Sequence, residues 1–67
     1  MKAAQVLDEL KAKFKIKNDA ALARELDLTP VDVSKLRNGK TAIGDRVILR
    51  IHEYLGVPVK EIRAMLA

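Results

Sequence analysis

The strongest constraint on the fold lies at Thr29-Pro30, which starts a new helix almost directly after another one ends. A threonine hydroxyl can cap a helix N-terminus, and proline suits the first helical position, where no N–H is required. Asp32 follows three residues after Thr29, as in a capping box. Asp27 and Leu28 therefore form a turn too short to let the helices before and after it run antiparallel, so these two helices must cross steeply.

The helices on either side of this turn are short, and each has one apolar face. The first is predicted to follow the N-cap Asn18, and the second to stop at Asn38-Gly39, where glycine suits a left-handed C-cap. Their inward-facing residues are Leu22, Ala23 and Leu26 in the first helix and Val33 and Leu36 in the second. The small Ala23 would let the two helices approach closely.

Apolar residues at helical spacing predict three further helices, at residues 2–14, 45–55 and 58–66. Gly56 and Pro58 separate the last two. No segment has the alternating pattern of a strand, and there is no repeat or low-complexity segment. We therefore predict an all-α fold of five short helices that forms a single domain over residues 1–67.

Composition argues against catalytic, metal-binding and membrane functions. With 67 residues the chain has too little interior for a deep catalytic cleft, and it has no cysteine for a disulfide or a zinc site. His52 is the only histidine and has no partner at ligand spacing. No apolar run approaches the roughly 20 residues of a membrane span, and the N-terminus lacks the apolar segment of a signal peptide. We expect a cytoplasmic protein that is not an enzyme and has no metal, cofactor, small-molecule substrate or membrane contact.

The net charge of +4 is concentrated in two basic segments. Residues 11–17 contain four lysines and no acid, residues 34–50 have a net charge of +4, and residues 18–33 between them have −3. The adjacent Asp8 and Glu9 are expected to lie on a solvated helix face. If the two basic segments fold onto one face, they would attract a polyanion, although a basic segment can also be an ordinary solvated surface.

The segment NDAALARELDLTPVDVSKLRNG, residues 18–39, resembles the helix-turn-helix of the lambda repressor and Cro family of phage and bacterial regulators. The resemblance continues into LGVPVKEIRAML, residues 55–66, which looks like the family's fourth-helix end and fifth helix. It implies a five-helix lambda repressor-like DNA-binding domain with the helix-turn-helix at helices 2 and 3. The implied function is sequence-specific transcriptional regulation by a Cro-like repressor, whose partner is double-stranded DNA and whose helix 3 enters the major groove.

The resemblance also implies which residues contact DNA. The residues at the family's base-reading positions are Pro30, Val31, Asp32 and Lys35. Candidates for phosphate contact, which supply positive charge or hydrogen-bond donors, are Lys17, Asn18, Thr29, Asn38, Lys40, Thr41 and Arg46. Lys35 could donate to guanine O6 and N7, Val31 could contact a thymine methyl, and Asp32 could accept from cytosine N4.

Each of these contacts has an ordinary structural alternative. Lys35 could be a solvated charge, and Val31 could be one of the apolar residues that protein surfaces commonly expose. Asp32 could serve only as a capping residue, because nearby phosphates repel a carboxylate. Lys40 and Arg46 could simply be solvated.

Two residues depart from the family pattern. Asp19 stands where many members have a glutamine that bridges phosphate and helix 3, and Asp27 replaces the usual turn glycine. We expect the contact at Asp19 to be missing or altered. We expect Asp27 to adopt the left-handed conformation at some cost in stability, since aspartate tolerates it better than most residues.

The sequence leaves the oligomeric state and the function open to alternatives. Tyr54, Val57, Met65 and the C-terminal end are candidates for the surface of a two-fold homodimer, because apolar groups there exceed what one small core needs. The same fold could also serve an antitoxin or phage accessory protein that binds a protein partner through helix 3 or the acidic segment 18–33. A third possibility is a weak, nonspecific nucleic-acid binder that uses charge alone.

Overall fold

The computed structural model describes all 67 residues, which form five α-helices and no strand. The helices are α1 (Ala3–Lys13), α2 (Asp19–Glu25), α3 (Pro30–Arg37), α4 (Asp45–Leu55) and α5 (Val59–Leu66). The predicted all-α fold is confirmed, and the predicted limits of the first, fourth and fifth helices differ from the observed ones by at most one residue. None of the helices combines the length and the apolar character that crossing a membrane requires.

The core is a single cluster of buried apolar side chains to which all five helices contribute. It contains no polar or charged residue. Its members are Val6, Leu7, Leu10, Leu22, Ala23, Leu26, Leu28, Val33, Leu36, Ile43, Ile48, Ile51, Val57 and Ile62. Apolar burial therefore holds the interior together without any disulfide or buried ion pair.

The helix pair α2 and α3 packs together more extensively than any other pair of helices. Ala23 is buried on α2, and its carbonyl accepts a hydrogen bond of 2.8 Å from the Leu28 N–H across the turn. The Leu28 side chain is also buried. The turn between these helices is thus tied both to the end of α2 and to the core.

The predicted N-caps of α2 and α3 are confirmed. Asn18 Oδ1 accepts a hydrogen bond of 2.8 Å from the Ala21 N–H. At α3, Thr29 Oγ accepts from the Asp32 N–H and Asp32 Oδ2 accepts from the Thr29 N–H, both at 3.1 Å, which completes a capping box. Gly39 follows the end of α3 with a φ of 72°, the left-handed conformation expected of it.

Val57 belongs to the core, so its assignment to a dimer surface was wrong. Gly56 ends α4 with a φ of 72°, and this left-handed turn directs the chain back toward the interior. Val57 is consequently only 2% exposed, whereas Tyr54 is 52% exposed. Met65 is partly buried and packs against the core.

Lys15, which follows the end of α1, is also left-handed and was not predicted. Its φ is 55°, while Phe14 and Ile16 on either side of it are partly buried against the core. The Ile16 N–H donates to the Lys11 carbonyl at 2.8 Å, which closes the turn. Holding a residue other than glycine in this conformation costs roughly 1 kcal/mol.

Candidate DNA interface

Helix α3 presents an outer stripe made of Val31, Ser34, Lys35 and Asn38. The last three follow Val31 by three, four and seven residues, so the four share one side of the helix, and all are exposed. Val31 is 61% exposed, whereas Val33 and Leu36 on the inner side are at most 2% exposed. The helix is therefore anchored by one face and projects the other.

Ser34 is a member of the outer stripe that the sequence analysis did not predict as a contact. Its Oγ accepts a hydrogen bond of 3.4 Å from Asn38 Nδ2. The available signal was its spacing of three residues from Val31, which is enough to put both on the same face. Pro30 is also exposed, at the N-terminal end of the helix.

The N-terminus of α3 holds Asp32 as a cap. Hydrogen bonds from the Thr29 N–H and hydroxyl lower the pKa of Asp32, and the positive charges of Arg46 and Lys35 act in the same direction. Asp32 Oδ2 is engaged by the Thr29 N–H, and Oδ1 has no hydrogen-bond partner within the chain. The predicted capping role is thus confirmed, and one oxygen of an ionised carboxylate stays available beside the outer stripe.

A shallow groove of about 320 Å³ separates α3 from the start of α4. Its polar lining includes Asp32, Lys35, Thr41 and Arg46, so two of the predicted base-contact residues lie beside two of the predicted phosphate-contact residues. The N–H groups of Lys40 and Thr41 both donate to the Lys35 carbonyl, at 2.9 and 3.3 Å. These bonds fold residues 40–41 against the end of α3 and leave their exposed side chains to make any contact with a ligand.

The N-terminus of α2 carries the other predicted phosphate-contact residues, Lys17 and Asn18. Both are exposed. The backbone N–H groups of Asp19 and Ala20 have no acceptor within the chain, as is normal in a first helical turn. Since Asn18 uses Oδ1 for the cap, its Nδ2 remains available as a donor.

An ion-pair network joins α1, α2 and α3 at this point, formed by Asp8, Lys11, Asp19 and Arg37. Arg37 donates to both carboxylate oxygens of Asp19, from Nε at 2.6 Å and from Nη2 at 2.8 Å. Arg37 Nη2 also donates to Asp8 Oδ1 at 2.9 Å, and Lys11 Nζ lies 2.9 Å from Asp19 Oδ1. Asp8 and Glu9 are both exposed, as expected of a solvated helix face, and Asp8 in addition pairs with Arg37 of α3.

These contacts shift the ionisation of the groups involved. The hydrogen bonds from Arg37, followed by that from Lys11, lower the pKa of Asp19 from its ordinary 3.8 to about 2. The hydrogen bond to Asp19, followed by that to Asp8, raises the pKa of the Arg37 guanidinium. We expected the contact at Asp19 to be missing or altered. In the structure the Asp19 carboxylate binds Arg37 and Lys11 within the chain.

Only part of each basic segment is left without an ion-pair partner. In residues 11–17, Lys11 joins the network and Lys13 pairs with Glu61 of α5 at 3.1 Å. In residues 34–50, Arg37 and Arg50 are likewise engaged. The cations without an ion-pair partner in these two segments are Lys15, Lys17, Lys35, Lys40 and Arg46.

The turn before α3 is held by Arg50 of α4. Asp27 has a φ of 53°, so the predicted left-handed conformation is confirmed. Arg50 Nη1 donates to the Asp27 carbonyl and to the Leu26 carbonyl, and it lies 3.3 Å from Asp27 Oδ2. A side chain from another helix thus satisfies the carbonyls of Leu26 and Asp27 in the turn between α2 and α3.

The sequence matches a known family. The model of the helix-turn-helix family matches residues 7–62, a range that includes α2, α3 and every residue predicted to contact DNA. The chain belongs to the lambda repressor/Cro-like helix-turn-helix family. The comparisons with curated proteins and with solved structures found no match.

As a lambda repressor/Cro-like protein, the chain is a DNA-binding helix-turn-helix regulator with a domain type that is not enzymatic. No group of His, Asp or Glu side chains is arranged to hold a metal ion. His52 is exposed on α4, and its Nδ1 lies 2.8 Å from the Val57 carbonyl, to which an Nδ1–H would donate.

Proposed function

We propose that this regulator is a sequence-specific transcriptional repressor that inserts α3 into the major groove of double-stranded DNA. The observation that carries the proposal is the outer stripe of α3, which is exposed along its length while the opposite face is anchored in the core. A helix held in this way can enter a groove about 12 Å wide without disturbing the fold. Occupation of the operator would exclude other proteins from it, which is the simplest route to repression.

Direct base contact would come from the N-terminal half of α3. Lys35 has a free ammonium group that can donate to guanine O6 and N7, and Val31 offers a methyl-sized apolar contact to thymine. Asp32 keeps one oxygen that can accept from the cytosine amino group. Pro30 would pack against the groove wall, and Ser34 joins this set because it lies on the same stripe.

Phosphate contact would come from polar and positively charged residues around the stripe. We assign this role to Lys17 and Asn18 of the α2 N-terminus, to Thr29 at the start of α3, and to Asn38, Lys40, Thr41 and Arg46, which follow α3. About four simultaneous phosphate contacts would give a slope near −3.6 for the logarithm of affinity against the logarithm of salt concentration. A single domain with so few contacts would bind one half-site weakly.

We further propose that two copies bind together on a pseudo-palindromic operator. Tyr54, which is 52% exposed on α4, and the partly buried Met65 on α5 are the remaining candidates for the dimer surface. Two-fold symmetry in the protein requires two-fold symmetry in the operator, with half-site centres about 34 Å apart. The sequences selected from random duplexes should therefore contain two inverted half-sites.

A protein-interaction function is the alternative, and one observation favours it. The tip of α3 combines the exposed apolar Val31 with the carboxylate of Asp32, a pairing less suited to a phosphate-rich surface than to a protein partner. An antitoxin or a phage accessory factor could use such a tip. The repressor proposal predicts that the protein binds duplex DNA, and the protein-interaction proposal predicts that it does not.

Fluorescence anisotropy with labelled duplexes separates these functions. The duplexes would be one of mixed sequence and one obtained by selection, each titrated at 50 and 200 mM salt. Tighter binding of the selected duplex at both salt concentrations supports the proposed function. Equal and steeply salt-dependent binding of both would indicate a nonspecific binder, and no binding of either would favour the protein-interaction function.

A further inference from the structure

The ion-pair network lies beside two of the phosphate-contact candidates, Asn18 and Asn38. Asp19 follows Asn18 directly in the chain, and Arg37 directly precedes Asn38. The bonds between Asp19 and Arg37 therefore join the start of α2 to the end of α3 at the edge of the proposed DNA interface. Positive charge at this edge would be expected to attract phosphate.

The cations of this network are neutralised within the chain. Asp8, Lys11, Asp19 and Arg37 together carry no net charge, and both acids contact both cations. At the donors already in use, Nε and Nη2 of Arg37 and Nζ of Lys11, phosphate must compete with carboxylate oxygens, which bind these donors in a similar geometry. Lys11 and Arg37 thus lie close to the proposed interface but already form ion pairs with Asp8 and Asp19.

Arg37 nevertheless remains accessible to a second anion. Its side chain is 28% exposed, and the hydrogen bonds to Asp19 and Asp8 use only Nε and Nη2. Nη1 has no hydrogen-bond partner within the chain. Loss of the Asp19 charge would therefore leave a guanidinium held mainly by Asp8, whose side chain is 60% exposed.

We propose that Asp19 is a specificity-determining residue that acts as an internal counter-ion, holding Arg37 and Lys11 away from DNA phosphate and so weakening sequence-independent binding. The proposal rests on the function proposed above. The outer stripe does not take part in the network, so base contacts are unaffected while phosphate contacts at this edge are reduced. Specificity is the ratio of the affinity for the operator to the affinity for other DNA sequences. Weaker nonspecific binding therefore increases specificity.

The test compares Asp19→Asn with Glu25→Gln in the anisotropy titration of a mixed-sequence duplex at 50 and 200 mM salt. Asparagine keeps the shape of the side chain and removes its charge. Glu25 is the matched control, since it is exposed on the same helix and forms no ion pair. Each cation released to phosphate adds about 0.9 to the salt slope, which multiplies the ratio of affinities at the two salt concentrations by about 3.5.

We expect Asp19→Asn to bind the mixed-sequence duplex more tightly than the wild type does. The ratio of its affinity at 50 mM salt to its affinity at 200 mM salt should be about 3.5 times that of the wild type. Glu25→Gln should keep the ratio of the wild type. Adding Arg37→Gln to Asp19→Asn should return the ratio toward the wild-type value, because it removes the released cation. Each variant is measured at a temperature at which its circular dichroism shows it to be folded. Asp19→Ser, which also removes the charge and leaves the N-cap Asn18 in place, replaces Asp19→Asn if the latter unfolds.

The possible failures are distinguishable. If the wild type binds DNA and Asp19→Asn has the same ratio, or if Glu25→Gln produces an equal increase, the counter-ion role is overturned while the proposed function stands. If neither the wild type nor Asp19→Asn binds any duplex, both proposals are overturned. If Asp19→Asn gains affinity only for the selected duplex, Asp19 affects base recognition and the inference is wrong.

Discussion

The ion pair between Asp19 and Arg37 should make part of the stability of this protein depend on pH. The pKa of Asp19 is lowered to about 2 in the folded chain, against an ordinary value of 3.8. The folded protein therefore binds this proton less readily than the unfolded chain does. The resulting stabilisation is complete above about pH 5 and is lost as the pH falls through 2.

The size of the effect follows from this difference in pKa. The interval from 3.8 to about 2, at about 1.36 kcal/mol for each pKa unit, corresponds to roughly 2.4 kcal/mol. The Asp19 side chain is 36% exposed, so solvent screens the interaction and we reduce the expected free energy to about 1 kcal/mol. For a domain of this size, such a loss lowers Tm by about 5 °C.

Urea denaturation of the wild type and of Asp19→Asn, followed by circular dichroism at pH 7, 5, 3 and 2, measures this quantity. We expect the variant to be less stable than the wild type by about 1 kcal/mol at pH 7 and 5. The difference should shrink at pH 3 and be about zero at pH 2. Glu25→Gln, which removes an acid outside any ion pair, should differ from the wild type by much less at pH 7.

Two results would refute this reasoning. If the wild type and Asp19→Asn lost stability in parallel between pH 5 and pH 2, the Asp19 carboxylate would not be the group whose protonation matters. If the variant were as stable as the wild type at pH 7, the ion pair would contribute nothing net, as many exposed ion pairs do.

Three further predictions concern the helix termini and the DNA interface. Thr29→Ala should lower the free energy of unfolding by about 1 kcal/mol in urea denaturation, because the Asp32 N–H loses its acceptor, while Thr29→Ser should leave it nearly unchanged. Lys15→Gly should raise stability by about 1 kcal/mol and Lys15→Ala should not; a lower Tm for the glycine variant would contradict the left-handed conformation at this residue. In anisotropy titrations Lys35→Ala should reduce the preference for the selected duplex, whereas Lys40→Ala should weaken all duplexes alike, and the reverse pattern would overturn both assigned roles.

Local signals predicted the helix-turn-helix well. Thr29, Pro30 and Asp32 start α3 through interactions within four residues of chain, so their arrangement does not depend on the rest of the fold. The same is true of Asn18 at α2 and of Gly39 after α3. Apolar spacing then identified which faces turn inward, and the burial of the core agrees with it.

The candidate interface was predicted less completely, because part of it depends on contacts between distant residues. Every predicted contact residue except the half-buried Asp32 is exposed, but Ser34 was missed although its spacing from Val31 reveals it. The partners of Arg37 lie 18 and 29 residues away in the chain, and no periodicity in the sequence connects them. Similarly, the burial of Val57 depends on how Gly56 turns α5 against the core.

The sequence by itself determined where the helices begin and end, which of their faces are apolar, and that the turn before α3 forces a steep crossing. These properties arise from neighbouring residues, whose interactions are the same in any fold that contains the segment. Only the tertiary structure decided which charges remain free to bind DNA. A lysine or arginine becomes an interface residue or an internal ion-pair partner according to which carboxylates the packed helices bring within a few ångströms, as Asp19 and Arg37 illustrate.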